Sequence, residues 1–98
     1  MLIHVQLKLL VNRKDNPISS GYRSPWFSKQ EEPNLEDKIL GTACLYLQRP
    51  FGEGTSPGIL EPLVPDLWSS LKVDDYIEGR DGRLVTFHAK VCRILKDI

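Results

Sequence analysis

Two histidines and two cysteines are the side chains here whose types suit bond-making chemistry: His4, His88, Cys44 and Cys92. Paired imidazoles serve as acid and base near neutral pH. His4 and His88 would form such a pair if their strands lay side by side. The plainer reading is two surface histidines, because no Ser or Cys stands in a nucleophile's context. His88 and Cys92 share one face of an extended strand, but four residues at ~3.3 Å each put them roughly 13 Å apart, too far for proton transfer. Cys44 and Cys92 each lie inside an apolar run, with no CxxC and no Cys/His cluster. That spacing excludes the usual zinc sites and suits two reduced thiols in a cytoplasmic protein. Gly52, Gly54 and Gly58 are not followed by Lys and Ser/Thr, so they form no phosphate-binding loop. The chain therefore reads as a protein that is not an enzyme and uses no metal and no small-molecule cofactor.

The elements that would position these residues are strands. Ile3, Val5, Leu7, Leu9 and Val11 alternate with His4, Gln6 and Lys8, the period-two pattern of a half-buried strand over 2–11. An alternating segment is not the unbroken apolar stretch of a leader, and no segment suits a membrane span. A second strand covers 39–48, with Ala43, Leu45 and Leu47 on one face and Thr42, Cys44 and Tyr46 on the other. Short strands follow at 59–64 and 75–79. The longest covers 84–95, with Val85, Phe87, Ala89 and Val91 inward. Asp81-Gly82 suits the tight turn before it. Tyr22 to Phe27 is interrupted by Pro25, which marks an edge strand or an extended loop. Residues 49–58 read as a flexible Gly/Pro connection, and Pro65 with a capping Asp66 opens one helical turn over 66–71. With 98 residues, 41% apolar, and no long amphipathic helix, the pattern gives one all-β domain over 1–98, a single small antiparallel β-barrel.

Charge is balanced overall, 13 bases against 13 acids, but not along the chain. Five bases against one acid leave +4 in residues 1–30; four against eleven leave −7 in 31–81; four against one leave +3 in 82–98. If the two basic ends lie side by side the surface is bipolar, which suits a protein partner. A dedicated nucleic-acid binder would be clearly basic overall.

Two stretches carry a resemblance. Asn16-Pro17-Ile18-Ser19-Ser20-Gly21-Tyr22-Arg23-Ser24-Pro25-Trp26-Phe27 is similar to the threonine-proline, aromatic pair and glycine-tyrosine-arginine-proline run of the C-terminal barrel, domain 3, of elongation factor Tu. Asp75-Tyr76-Ile77-Glu78-Gly79-Arg80-Asp81-Gly82-Arg83-Leu84-Val85 resembles that family's glutamate-glycine-glycine-arginine-threonine-valine turn into its last strand. The resemblance implies an isolated, closed antiparallel barrel and, as one function, binding of RNA or transfer RNA, with Lys8, Arg13, Lys14, Lys90 and Arg93 tracking phosphates. Where the family places an arginine-histidine pair for transfer RNA, this chain has Lys14 and Asp15, and an acid there opposes a phosphate.

The function expected is thus a non-enzymatic barrel that binds a protein partner, with an immunity or inhibitor protein as the narrower form and RNA binding as the alternative. Loops at barrel ends carry function, and the segment 12–38 is the contact surface expected. It holds Lys14, Tyr22, Arg23 and Trp26 beside the acids Glu31, Glu32, Glu36 and Asp37. Trp26, Phe27, Trp68 and Tyr76 suit core or barrel-end packing. Of these Trp26, next to Pro25, is the one placed to stand exposed as an anchor. For Arg23, Arg80 and Arg83 two readings stay open, loop-tying guanidinium or partner contact. For the acidic set they are a solvated loop or a surface for a basic partner.

Overall fold

Apolar residues at every second position can hide from water only if the strands close round a shared core. The computed structural model, which describes residues 1–28 and 37–96, shows that closure. Its strands are β1 (Leu2–Leu9), β2 (Tyr22–Ser28), β3 (Lys38–Tyr46), β4 (Thr55–Pro62), β5 (Tyr76–Asp81) and β6 (Leu84–Leu95). They close into an antiparallel barrel in the order β1-β4-β3-β2-β5-β6, with β6 returning to β1. The expected architecture is therefore the observed one, and β1 with β6 brings the two basic ends of the chain together. Among the described residues no helix is long and apolar enough to cross a membrane.

The lumen is filled by Ile3, Val5, Leu7 and Leu9 of β1, Ala43 and Leu45 of β3, Leu60 of β4, Ile77 of β5 and Phe87, Ala89 and Val91 of β6. Trp26 of β2 lies within it, fully buried. Its indole stacks on Phe87 at 5.7 Å between centroids, and Phe51 stacks on Phe87 at 6.3 Å. One barrel end is closed by Phe51 and Ile18, whose backbones exchange two 2.9 Å hydrogen bonds. At the other end Trp68, fully buried, and Leu71 sit on and just after the 3-10 turn Pro65–Trp68.

Several expected boundaries shift. β4 begins at Thr55, inside the supposed flexible connection, because Ser56, Pro57 and Gly58 pair with Leu7, Gln6 and Val5. Gly58 leaves room for the lumen leucines there, since a Cβ would lie 2.8 Å from Leu7 Cδ1 and 3.0 Å from Leu45 Cδ1 and would force those side chains to shift. The helical turn starts at Pro65 with Val64 as its N-cap and no side-chain cap. Asp66 sits in its first turn, so the expected cap is absent, while proline at the first helical positions is at home. β2 is a wall strand on β3 and β5, yet its pairing with β5 spans only Trp26 to Ser28. Pro25 thus lies where β2 has one neighbour, which is where a missing N–H costs least.

Bulges account for the burial errors. Thr86 is the extra residue between Phe87, opposite Gly79, and Val85, opposite Arg80. It reverses the alternation, so Val85 is half-buried rather than in the core. Cys92 is the extra residue opposite the His4/Val5 step, and the reversal turns Arg93 outward. Leu47, just past β3, is also only half-buried. Tyr76 is 65% exposed and packs no barrel end.

Trp26→Ala should cost about 3–5 kcal/mol of unfolding free energy, as expected for an emptied aromatic site. Gly79→Ala should cost about 1–3 kcal/mol by overpacking, because its Cβ would meet Phe87 Cδ2 at 2.9 Å and Trp26 ring atoms at 3.0 and 3.1 Å. Tyr76→Ala, on the surface, should stay within about 0.5 kcal/mol. Urea unfolding of the three variants separates these outcomes.

Candidate partner-binding wall

Strand pairing lays the outward side chains of β3, β4, β1, β6 and β5 out as rows. One row is Tyr46–Ile59–His4–Arg93, the next Pro57–Gln6–Lys90–Tyr76, and the third Thr55–Lys8–His88–Glu78. Rows lie roughly 6.7 Å apart, two residues at ~3.3 Å. The two histidines do share a wall, but the register puts His4 opposite Arg93 and His88 opposite Lys8. They are four residues apart along β1, roughly 13 Å at the same rise, and make no acid–base pair. Among the described residues no group of His, Cys, Asp and Glu could hold a metal ion.

Two adjoining hollows cut this wall. The first, about 430 Å³, is lined by Val5, Leu47, Ile59, Tyr46, His4 and Cys92 together with Gln6 and Gly58. The second, about 610 Å³, is lined by Phe51, Pro50, Arg49, Lys14 and Glu53 among others. Gln48 and Pro57 belong to both. The first is mainly apolar; the second is the more polar and carries the charged side chains. Cys92 stands out at its bulge, its Sγ donating to the Lys90 carbonyl at 3.5 Å.

Tyr46 is held rigidly on this wall. Its phenol donates to Glu61 Oε1 at 2.9 Å. Hydrogen bonding to the Cys44 thiol two residues back and to Glu61, with the charge of both groups, pushes its pKa up to about 12. A phenol that donates to a carboxylate keeps its proton to higher pH, and the Tyr46 side chain stays exposed.

The residues expected to form one contact surface are dispersed. Lys14 lies in the β1–β2 connection and pairs with Glu53 at 3.1 Å, both side chains well exposed, a contact worth little. Tyr22 is half-buried, its ring edge-on to Phe87 at 6.1 Å. Arg23 is exposed on β2 opposite Cys44. Trp26 is in the core and cannot be an exposed anchor. Asp37 precedes β3 at the opposite end of the barrel from Lys14, and Arg80 Nη2 reaches its carboxylate at 2.6 Å. Glu31, Glu32 and Glu36 lie outside the described residues. The described residues of the segment 12–38 run from one barrel end along β2, with Asp37 at the other end.

Arg80 proves structural. It also binds Glu78 at 2.9 Å and lies 3.9 Å over the Phe27 ring. Burial lowers its pKa, but the hydrogen bonds and charges of Glu78 and Asp37 outweigh that and raise it. Glu78 is 5% exposed, so its carboxylate depends on this partner. Tyr46, by contrast, was legible as an outward residue, but an aromatic outside a strand drew no functional weight beside the loop residues.

No family model, no curated protein and no solved structure matches this chain.

Spectrophotometric titration should show one of the three tyrosines ionising near 12, and Glu61→Gln should bring it down towards the ordinary value. Because the folded phenol holds its proton above the unfolded one, stability should fall as pH rises from 10 towards 12. Arg80→Met strands the Glu78 carboxylate and should cost on the order of 3 kcal/mol; Arg80→Met combined with Glu78→Gln should recover most of it in the same unfolding assay.

Proposed function

We propose that this chain is a non-enzymatic binding module that acts through a protein partner docked on the wall of β3, β4, β1 and β6. The observation that carries the reading is the mainly apolar hollow beside the exposed Tyr46, adjoined by a second, more polar hollow that carries Lys14, Arg49 and Glu53. Interfaces use that arrangement, an anchor pocket within a polar rim. β1 is paired on both sides along its length, so recognition on that strand runs through side chains. Size and charge favour an immunity or inhibitor protein as the narrower form. Both cysteines are free and Cys92 is exposed, which suits the reducing cytoplasm.

RNA binding is the second reading, favoured by one observation. β1 and β6 pair along their length and place Lys8, Lys90 and Arg93 on one wall. The resemblance to the elongation factor Tu barrel, on which this second reading also draws, is one of two sequence stretches only; they adjoin where Trp26 pairs with Gly79.

Affinity capture with the whole chain from its own cells should recover one protein at near-stoichiometric yield. Tyr46→Ala should weaken that complex by about 2 kcal/mol, roughly 30-fold in Kd. Arg83→Ala, on the β5–β6 turn, should leave it intact. Recovery of RNA alone, with affinity falling steeply between low and physiological salt, would transfer the role to the second reading.

A further inference from the structure

We infer that the wall receives an acidic, extended segment of the protein partner, with one apolar side chain of that segment seated between Tyr46 and Ile59. This deepens the protein-binding reading and rests on it. The first observation is which charges are already spent. Glu78 and Asp37 are neutralised by the partly buried Arg80, whereas Glu53 has only an exposed contact with Lys14 and Glu61 accepts the Tyr46 phenol but keeps its charge at the β4 side of the wall. Asp75 accepts the Lys72 amide. The cations of the wall are not so engaged: Lys8, Arg93 and Arg49 make no ion pair among the described residues, and Lys90 has only an exposed 3.5 Å contact with Asp74. β1 and β6 contain no acid at all. The charge left for a partner along β1 and β6 is positive, and complementarity therefore selects a negative one.

Spacing and shape narrow the partner further. Lys8, Lys90 and Arg93 occupy successive rows separated by roughly 6.7 Å, the distance between alternate side chains of an extended peptide. A segment lying along β1 and β6 would meet them with an acid at every second position. The neighbouring hollow of about 430 Å³ has Val5, Leu47 and Ile59 in its lining, a site for an aliphatic or aromatic anchor. A nucleic acid fits less well. Its affinity grows with the number of phosphates neutralised, and the wall offers few cations.

The test pans a phage-displayed library of random peptides, roughly a dozen residues long, against the whole chain at physiological salt. Enriched peptides should alternate Asp or Glu with other residues and carry one large apolar side chain. Lys8→Glu with Arg93→Glu, both at exposed positions, should lower their affinity by at least about tenfold. Arg83→Glu, an equally exposed reversal on the turn, should leave it nearly unchanged. Enrichment of neutral or basic peptides, no enrichment, equal binding to the doubly reversed chain, or tighter binding of an oligouridylate would each overturn the inference. A captured protein that the doubly reversed chain still holds would overturn it too, while leaving the protein-binding reading in place.

Discussion

Trp26 and Phe87 lie nearly parallel in the lumen, 15° from coplanar, and Phe51 continues the stack. The three rings come from β2, from β6 and from the connection between β3 and β4. β2 and β6 do not pair; β5 stands between them, joined to β2 by a short ladder. The stack therefore spans the weakest seam of the barrel and holds it shut. Gly79 makes this possible, because any side chain there would occupy the space of both rings. Stacked aromatics add about 0.5–1.5 kcal/mol to the burial of their area. More important is that the rings bridge β2 and β6 across the lumen, on either side of β5.

The wall inherits its pattern from that interior. Each bulge reverses which residues face out, and without the one at Cys92 the guanidinium of Arg93 would be driven into the lumen beside Val91. The bulge instead turns it outward opposite His4, in line with Ile59 and Tyr46. A local interruption of the β1–β6 ladder thus places a cation on the surface. The acids have the opposite fate. Most of those described are drawn into local bonds, Glu78 deepest of all.

Much of the fold was legible because alternation is a strong signal. β1 and β6 stand out by pattern alone, and their opposite basic ends fit the pairing observed. β4 was hidden because its first residues, Thr55 to Gly58, have turn composition, and only the space beside Leu7 and Leu45 explains a glycine within a strand. Val85 misled because a bulge is invisible in a string of residues. The site was less legible still. Trp26 sits beside a proline, which suggested a loop and exposure, whereas the large lumen needed an indole. The wall residues are set side by side by register, and register between β1, β4 and β6 is a property of the closed barrel, not of any one segment.

The position of β1 has a consequence for how the molecule comes into being. Its two neighbours are β4 and β6, so β1 has no partner until β4 has been made and is not enclosed until β6 follows. Local hairpins, β5 with β6 and then β2 with β3, can form early; closure must wait for pairing between the ends, with the loop entropy that distant contacts carry. On the ribosome the apolar face of β1 stays uncovered through most of synthesis. Its alternate His4, Gln6 and Lys8 then serve a second purpose, breaking the apolar run and charging the strand while it is alone.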